Sequence, residues 1–298
     1  MSYSERINRI KKLKKWNCKL DHNLIASFKI LPKNFINFKR YIKEFISSAM
    51  QINYYENDDI FINEVNKSRN LKNITPNGAV VPKREYLLEY NLILREWKDI
   101  MSKIVSQKPE MLNRFRFTPN IRIKFSKEIN RNKNRDLNTS FPHSDAWLEG
   151  PWGMNCFIPL LGDTKNNTLK YYEPNKKSFS EKFMRTSPSY KDMQWVLKYY
   201  KPINFIPKAG RVYFSDYAMV HNTEKKKNAG TRISIDTTLY IGSNPPHKDR
   251  ISEYEKKFLD IGISHIIDPG RYERDKILRK KSTFSHYTTG VRRNIKLF

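Results

Sequence analysis

Three residues of the kinds that bind metal ions lie in stretches whose pattern predicts β-strands. His143 and Asp145 are separated by one residue within residues 141–147, and His221 lies in an apolar run at residues 217–223. Residues i and i+2 of a strand point to the same face, so His143 and Asp145 are expected to present an imidazole and a carboxylate side by side. Two histidines and one carboxylate bind one face of a metal ion and leave its other positions open. The sequence therefore predicts a β-sheet scaffold that holds a metal ion at His143, Asp145 and His221.

A strand with polar residues on one face follows the second histidine. Residues 231–240 alternate in character as a half-buried strand does, and Arg232 and Ser234 share one face because they are two residues apart. An arginine in this position can bind a carboxylate through two parallel N–H groups. Asn155 lies within an apolar run at residues 154–161, and a buried amide needs hydrogen-bond partners. We expect Arg232 to bind an anionic ligand, and Asn155 to bind either that ligand or the backbone.

The order and spacing of these residues resemble those of a known enzyme family. Oxygenases that depend on Fe(II) and 2-oxoglutarate are similar to this chain over about residues 115–242, through His143-x-Asp145, His221 and Arg232-x-Ser234. The resemblance implies a mainly β fold, the double-stranded β-helix or jelly roll. It also implies Fe(II) as the metal, and 2-oxoglutarate and O2 as cosubstrates. Under this resemblance the far carboxylate of 2-oxoglutarate meets Arg232 and Ser234, with Asn155 as a further candidate for cosubstrate binding.

Two further segments bear on the type of substrate. Residues 153–164 and 169–174 are similar to oxygenases of carbohydrate and aminoglycoside gene clusters. Halogenating members of the superfamily lack the carboxylate ligand, whereas Asp145 is present here. Members that demethylate nucleic acids carry a second arginine six residues after the cosubstrate arginine, where this chain has Thr238. The resemblance thus implies hydroxylation of a small molecule, with sugars and anionic or sugar-linked compounds as the candidate substrates.

Each of these residues also has an ordinary structural explanation. An H-x-D triplet is frequent by chance, a single histidine on an apolar strand is usually a core residue, and an arginine on a strand often forms an ion pair. The occurrence of all four residues in one order favours the metal site. Two other classes stay open: a cupin-like sugar-binding or isomerase jelly roll without oxygen chemistry, and a basic nucleic-acid-binding module.

The charge balance of the chain favours anionic partners in general. There are 57 lysines and arginines against 30 aspartates and glutamates, which gives a formal net charge of +27. A field of that size attracts phosphates and nucleic acids. The lysines are spread along every segment, however, as on a solvated surface, so we expect no specific nucleic-acid partner.

Cysteine usage and hydropathy limit the location of the protein. Cys18 and Cys156 are far apart and form no C-x-x-C pair, which excludes a thiolate zinc site and fits a reducing compartment. The chain has no long apolar segment, and its basic N-terminal segment lacks the apolar core of a secretory signal. We therefore expect no membrane insertion and a cytoplasmic location.

The sequence predicts a single catalytic domain over residues 1–298, mainly β but α+β overall. A helical support region at residues 1–110 is expected to pack on one sheet, residues 111–243 form the jelly-roll core, and residues 244–298 form a C-terminal helical extension. The sheet is expected to begin near Asn113. Apolar residues at helical spacing predict helices at residues 4–16, 34–50 and 84–105. Two further helices are expected, at residues 190–200, which are rich in lysine and tyrosine, and at residues 252–259. Loops are expected at residues 66–84 and, as a candidate lid or substrate contact, at residues 127–136.

Overall fold

The computed structural model describes residues 2–108, 115, 119–127, 138–149, 153–175 and 187–240, and the backbone of two short strands at residues 265–268 and 291–294. Helices of the described residues are α1 (Tyr3–Lys12), α2 (Pro32–Met50), α3 (Asp58–Lys67), α4 (Leu87–Ile104) and α5 (Ala146–Glu149), with 3-10 helices at Leu13–Trp16, Arg84–Tyr86 and Gln194–Tyr199. None of these helices has the length and apolar character of a membrane span.

Most strands belong to two antiparallel sheets. The strands are β1 (Lys19–His22), β2 (Ile25–Lys29), β3 (Asn120–Lys124), β4 (Gly153–Gly162), β5 (Asn167–Pro174), β6 (Tyr200–Pro202), β7 (Arg211–Asp216), β8 (Val220–Lys225), β9 (Arg232–Tyr240), β10 (His265–Asp268) and β11 (Val291–Asn294). The larger sheet has the order β1-β2-β7-β4-β9-β3, the smaller has the order β6-β5-β8, and β10 pairs with β11. Side chains of both main sheets line one cavity. This arrangement of antiparallel sheets with a few helices is consistent with a jelly-roll-like fold.

The main core lies between the N-terminal helices and the larger sheet. Apolar residues recur along α2 and α4 at helical spacing, so each helix has one apolar face to bury. Ring contacts run from Phe38 of α2 to Trp97 of α4, then to Phe115, and then to Phe214 of β7, with centroid distances of 6.3, 6.5 and 6.2 Å. Full burial of each such side chain contributes about 1.5–3 kcal/mol. The predicted packing of helices against one sheet is therefore confirmed.

Several predicted boundaries need correction. The prediction that the sheet begins near Asn113 is wrong, because β1 and β2 extend the larger sheet through pairing of β2 with β7. Helix α3 was not predicted, although Asn57 caps it by accepting hydrogen bonds from the N–H groups of Asp59 and Ile60. The helix predicted at residues 190–200 is a shorter 3-10 helix at Gln194–Tyr199.

Two predictions lie outside the described residues. The first is the helix predicted at residues 252–259, on which the predicted helical character of the C-terminal extension depends. The other is the candidate lid at residues 127–136, of which only residue 127 is described.

The first helix is attached to the sheet by a buried ion pair. Arg6 of α1 is fully buried, and its Nε donates a hydrogen bond of 2.9 Å to Oδ1 of Asp216, the last residue of β7. The same oxygen accepts the N–H of Ala218 in the turn that leads into β8. This basic amphipathic helix therefore packs on its own protein and fixes the end of β7.

We predict that Arg6→Ala lowers the free energy of unfolding by about 3–5 kcal/mol, because it leaves the buried Asp216 carboxylate without its cation. Chemical denaturation measures the change. Lys11→Ala, an exposed substitution on the same helix, is the control and is expected to change the free energy by less than about 0.5 kcal/mol. Equal unfolding free energies for the two variants would contradict this account of α1.

Candidate metal centre

Backbone pairing brings the two histidines together. The N–H of His143 donates to the carbonyl of His221, and the N–H of His221 donates to the carbonyl of His143, each at 2.9 Å. His221 lies on β8, as predicted. The predicted strand at residues 143–145 is reduced to this isolated bridge, and Asp145 lies in a turn directly before α5. A sharp change of chain direction, rather than strand alternation, therefore points Asp145 toward the histidines.

The neighbouring turn holds the same region in place. The carbonyl of Tyr217 accepts hydrogen bonds from the N–H of Ala146, at 3.2 Å, and from Oγ of Ser144, at 3.3 Å. Tyr217 follows Asp216, whose carboxylate binds Arg6. The ligand-bearing loop is thus connected through this turn to the N-terminal helix.

The three side chains form a compact group of donor atoms. Asp145 Oδ1 lies 4.0 Å from His143 Nε2, and Asp145 Oδ2 lies 3.8 Å from His221 Nε2. One ligand atom from each residue lies within 4.8 Å of the other two. The group can therefore hold a metal ion through two nitrogens and one oxygen.

The hydrogen bonds of both rings leave Nε2 free to bind a cation. His143 Nδ1 donates to the carbonyl of Phe141 at 2.8 Å, and His221 Nδ1 donates to the carbonyl of Met219 at 3.0 Å. A proton on Nδ1 leaves the lone pair on Nε2, which is the usual arrangement of a metal-binding histidine. Burial, and then the neighbouring His221, lower the pKa of His143 well below its usual value. His143 is therefore neutral at neutral pH.

A second layer of contacts fixes His143 from behind. The ring of Tyr190 stacks on the His143 ring with a centroid distance of 4.4 Å and an interplanar angle of 16°. Gln194 Nε2 donates to the carbonyl of Pro142 at 3.1 Å and to the carbonyl of Tyr190 at 2.6 Å. Tyr190 and Gln194, which lie between β5 and β6, therefore pack against the loop that carries a proposed metal ligand.

Asn155 contacts the acidic member of the group. Its Nδ2 donates to Asp145 Oδ2 at 2.7 Å, and its side chain lines the same cavity. The sequence left open whether Asn155 binds a cosubstrate or the backbone. In the structure its amide pairs with a carboxylate, which limits the rotation of Asp145.

Arg232 is a buried cation without an acidic partner among the described side chains. It is 1% exposed and lines the cavity, one of its Nη atoms donates to the carbonyl of Asn167 at 3.1 Å, and its Nε has no partner. Its Cζ lies 5.3 Å from the centre of the Phe157 ring. Burial lowers the pKa of Arg232 to about 10, so the guanidinium remains charged at neutral pH. An unpaired buried charge is costly, and a bound anion would offset that cost.

The cavity has a volume of about 200 Å³, and most of the residues that line it are polar. Strands β3 and β9 pair so that Lys124 lies opposite Arg232 and Arg122 lies opposite Ser234. Arg122 binds Asp236 through two hydrogen bonds of 2.6 and 2.8 Å. Ser234 is buried and lines the cavity together with these residues. The structure thus brings all six predicted site residues, His143, Asp145, His221, Arg232, Ser234 and Asn155, to one cavity.

Sequence reasoning missed two aromatic residues of this site, Tyr171 and Tyr190. Tyr171 lines the cavity, lies opposite His221 on paired strands, and is 1% exposed. It lies beside Tyr172 on β5, where Tyr171 is buried and both of its chain neighbours are half-buried, and nothing in the sequence distinguishes it from a core tyrosine. Tyr190 lies in a polar segment between two strands, where only its three-dimensional contact with His143 reveals its role.

Comparison with known proteins gives distant structural matches only. No family model matches the sequence, and no curated protein matches it significantly. The non-heme α-ketoglutarate-dependent epimerase SnoN from nogalamycin biosynthesis is 10% identical with a TM-score of 0.40, over 82% of this chain and 88% of SnoN. AviO1 from Streptomyces viridochromogenes Tue57 is 16% identical with a TM-score of 0.40, over 80% of this chain and 98% of AviO1.

A third similar structure is an N-substituted L-amino acid dioxygenase from Burkholderia ambifaria AMMD. It is 11% identical with a TM-score of 0.37, over 80% of this chain and 89% of the dioxygenase. SnoN has been solved with Fe3+ and α-ketoglutarate, and this dioxygenase with α-ketoglutarate. All three likenesses are distant, with TM-scores below 0.5.

Proposed function

We propose that this protein is an Fe(II)- and 2-oxoglutarate-dependent oxygenase that hydroxylates a small molecule. One observation carries the proposal. A buried arginine without an acidic partner among the described residues lines the same cavity as a group of two histidines and one aspartate. The arginine suits the anionic end of a cosubstrate, and the two histidines with the aspartate suit the metal. The proposal includes a double-stranded β-helix as the fold and residues 1–298 as one catalytic domain.

The donor set fits Fe(II). Two neutral imidazole nitrogens and one carboxylate oxygen are the ligands of non-haem iron sites that keep positions open for other molecules. Adjacent donors on such a metal lie about 3 Å apart. The separations of 3.8 and 4.0 Å from the Asp145 oxygens to the two histidines are slightly wider. Asp145 is partly exposed, so its carboxylate has room for the small movement needed.

Strand β4 connects the metal group to Arg232. The guanidinium of Arg232 lies over Phe157, and Phe157 is two residues from Asn155 on the same face of β4. Asn155 contacts Asp145 directly, so the metal group and Arg232 each contact a residue on one face of β4. The metal group, Arg232 and Ser234 also line one cavity. One molecule of 2-oxoglutarate is therefore proposed to bind both the metal group and Arg232.

Each residue then has a defined task. His143, Asp145 and His221 hold the metal, and Asn155 orients the Asp145 carboxylate. Arg232 and Ser234 bind the far carboxylate of 2-oxoglutarate. Bound Fe(II) supplies the activation of O2, coupled to conversion of the 2-oxo acid to succinate and CO2. The burial of His143, Arg232 and Ser234 keeps bulk water away from this reaction.

The remaining wall of the cavity supports a polar small molecule as the substrate. It offers hydrogen-bond donors and acceptors from Asn120, Arg122, Thr139, Thr223 and Asp236. A sugar or sugar derivative presents hydroxyl groups that both donate and accept. We therefore propose a sugar-like substrate. Because Arg122 and Lys124 are cationic, the substrate in this proposal can also be an anionic or sugar-linked compound.

The decisive experiment adds Fe(II) and 2-oxoglutarate to the protein without O2. We expect a weak visible charge-transfer band that needs both additions, and formation of succinate after O2 is admitted. A sugar-binding or isomerase jelly roll would bind metal without responding to 2-oxoglutarate. A nucleic-acid-binding module would bind DNA with steep salt dependence and would not need metal. Absence of the band in protein that contains iron would refute the proposal.

We predict that His221→Ala weakens Fe(II) binding by more than about 100-fold, since only two protein ligands remain. Anaerobic titration with Fe(II) measures the affinity. His22→Ala is the matched control, because His22 lies on β1 and does not line the cavity. Undiminished iron stoichiometry in His221→Ala would remove this residue from the metal site.

Asn155→Ala is expected to weaken Fe(II) binding by about 10- to 100-fold, because Asp145 loses the amide that restricts its rotation. The same titration measures the change. Asn175→Ala serves as the control, since the Asn175 amide binds the carbonyl of Lys198 outside the cavity. If Asn155→Ala instead alters 2-oxoglutarate affinity alone, Asn155 contacts the cosubstrate rather than positioning Asp145.

Arg232→Ala is predicted to weaken 2-oxoglutarate binding by about 10- to 150-fold with iron binding nearly intact, because hydrogen bonds to a charged group are lost. Arg232→Lys should recover only part of the affinity, since lysine lacks the planar fork. Calorimetric titration under anaerobic conditions gives the dissociation constant. A variant with lower thermal stability and wild-type 2-oxoglutarate affinity would show that Arg232 is only a structural residue.

A further inference from the structure

Two arginines line the cavity, and they differ in their partners. Arg232 is 1% exposed and has no acidic partner among the described side chains. Arg122 donates from Nε and Nη2 to the two carboxylate oxygens of Asp236, at 2.6 and 2.8 Å. The cation of Arg122 is therefore balanced by an acid that lines the same cavity. Because the charge of Arg122 is already balanced, a different kind of ligand is expected there.

The Arg122–Asp236 pair lies at an accessible end of the cavity. Arg122 belongs to β3, the last strand of the larger sheet, and Asp236 lies on the adjacent β9. The side chains of Arg122 and Asp236 are 21% and 36% exposed. Arg232 and Ser234, on the same face of β9 as Asp236, are buried. The end of the cavity at Asp236 can therefore hold a molecule that reaches in from solvent.

This end of the cavity also adjoins the metal group. Asp236 lies opposite Phe157 in the pairing of β4 with β9, and Asn155 is two residues from Phe157 on β4. Asp236 and Asn155 are therefore diagonal neighbours on one face of the sheet. Asn155 in turn donates to Asp145 at 2.7 Å. A molecule bound at Asp236 is consequently held beside the proposed metal site.

The hydrogen bonds of the ion pair use only part of its capacity. An ionised carboxylate has about four acceptor sites, and a guanidinium has five N–H donors. Two of each are used between Arg122 and Asp236, and Nη1 of Arg122 makes a long hydrogen bond of 3.5 Å to the carbonyl of Asn77. Asn120 lies opposite Asp236 in the pairing of β3 with β9 and lines the cavity, so its amide adds donors and an acceptor. This end of the cavity therefore offers both kinds of group to a ligand.

Such a combination favours hydroxyl groups over anions. A hydroxyl group both donates and accepts. One of two adjacent hydroxyls can therefore donate to the Asp236 carboxylate while the other accepts from Arg122 or Asn120. A phosphate or carboxylate only accepts, and the negative charge of Asp236 offsets the attraction of Arg122 for it. The chemistry of this end therefore suits a neutral molecule with several hydroxyl groups.

We propose that Arg122, Asp236 and Asn120 bind two adjacent hydroxyl groups of a neutral carbohydrate, and that Asp236 excludes anionic analogues by balancing the charge of Arg122. The inference rests on the proposed function and narrows its substrate class. An ion pair that only joined β3 to β9 would stabilise the fold without affecting which sugars bind. Asp236→Asn tests the difference, because it removes the charge and keeps the shape of the side chain.

The experiment measures sugar binding to protein loaded with Fe(II) and 2-oxoglutarate, by anaerobic calorimetric titration. The probes are the methyl glycosides of glucose, galactose and mannose, and those of the three corresponding uronic acids, in which a carboxylate replaces the hydroxymethyl group. We expect wild-type protein to bind at least one neutral glycoside about 10-fold or more tightly than its uronic acid. Asp236→Asn is expected to bind that glycoside about 10-fold more weakly and its uronic acid more tightly than wild type does.

Two further variants complete the comparison. Glu224→Gln is the matched control, because Glu224 forms a similarly exposed ion pair with Lys170 across β5 and β8, at 2.6 Å, and is not among the described residues that line the cavity. It is expected to keep the wild-type selectivity. Asn120→Ala leaves the ion pair in place and should weaken binding of the neutral glycoside by about 2- to 12-fold. It tests the subsite even if Asp236→Asn is unstable.

Wild-type protein that binds none of the neutral glycosides, or that binds the uronic acids more tightly, would overturn the inference. A folded Asp236→Asn variant with wild-type selectivity would do the same, since it marks a structural ion pair, as would Asn120→Ala with wild-type affinity. The charge-transfer band tests the proposed function separately, because it requires no sugar. A band in protein that fails these sugar tests refutes the subsite alone. Iron-loaded protein without a band refutes the proposed function and this inference with it.

Discussion

The two hydrogen bonds between the backbones of His143 and His221 determine the form of the proposed active site. They attach a loop to the second residue of β8, and they place two imidazoles side by side with their Nε2 atoms toward Asp145. Each ring is then oriented by a carbonyl two residues earlier in the chain. The metal group thus depends on backbone geometry, which the side chains of Tyr190, Gln194 and Asn155 reinforce.

The burial of Arg232 sets a second constraint. Removal of a guanidinium from water costs several kcal/mol, and a single backbone carbonyl and an aromatic face offset only part of this cost. The protein's own groups therefore satisfy the Arg232 cation only in part. Part of the affinity for an anion is thus paid for during folding, when the rest of the core places Arg232 beside Phe157. This is preorganisation, since few groups need to move when the ligand binds.

Much of the site could be predicted from the sequence, because its residues carry signals that are independent of long-range packing. His221 and Arg232 lie on strands with clear patterns, and both occupy the predicted elements. Asp145 was expected to follow strand alternation from His143, but it lies in a turn, because the chain ends its single bridge and enters α5. Short elements gave weaker signals: β1 has four residues, most of them polar or charged, so nothing in its pattern marked it as an edge of the larger sheet. Tyr171 could not be assigned to the site, because its position in the wall of the cavity is visible only when both sheets are assembled.

The ion pair between Arg6 and Asp216 joins positions that are 210 residues apart in the chain. Either charge is unfavourable in the protein interior without its partner, whereas an apolar pair of similar volume can be tolerated. Substitutions at the two positions are therefore expected to be inherited together rather than separately. In evolutionary terms, the first helix and the turn before β8 behave as one unit. A chain that replaces its N-terminal helix must also change Asp216 at the end of β7, close to the proposed metal ligand His221.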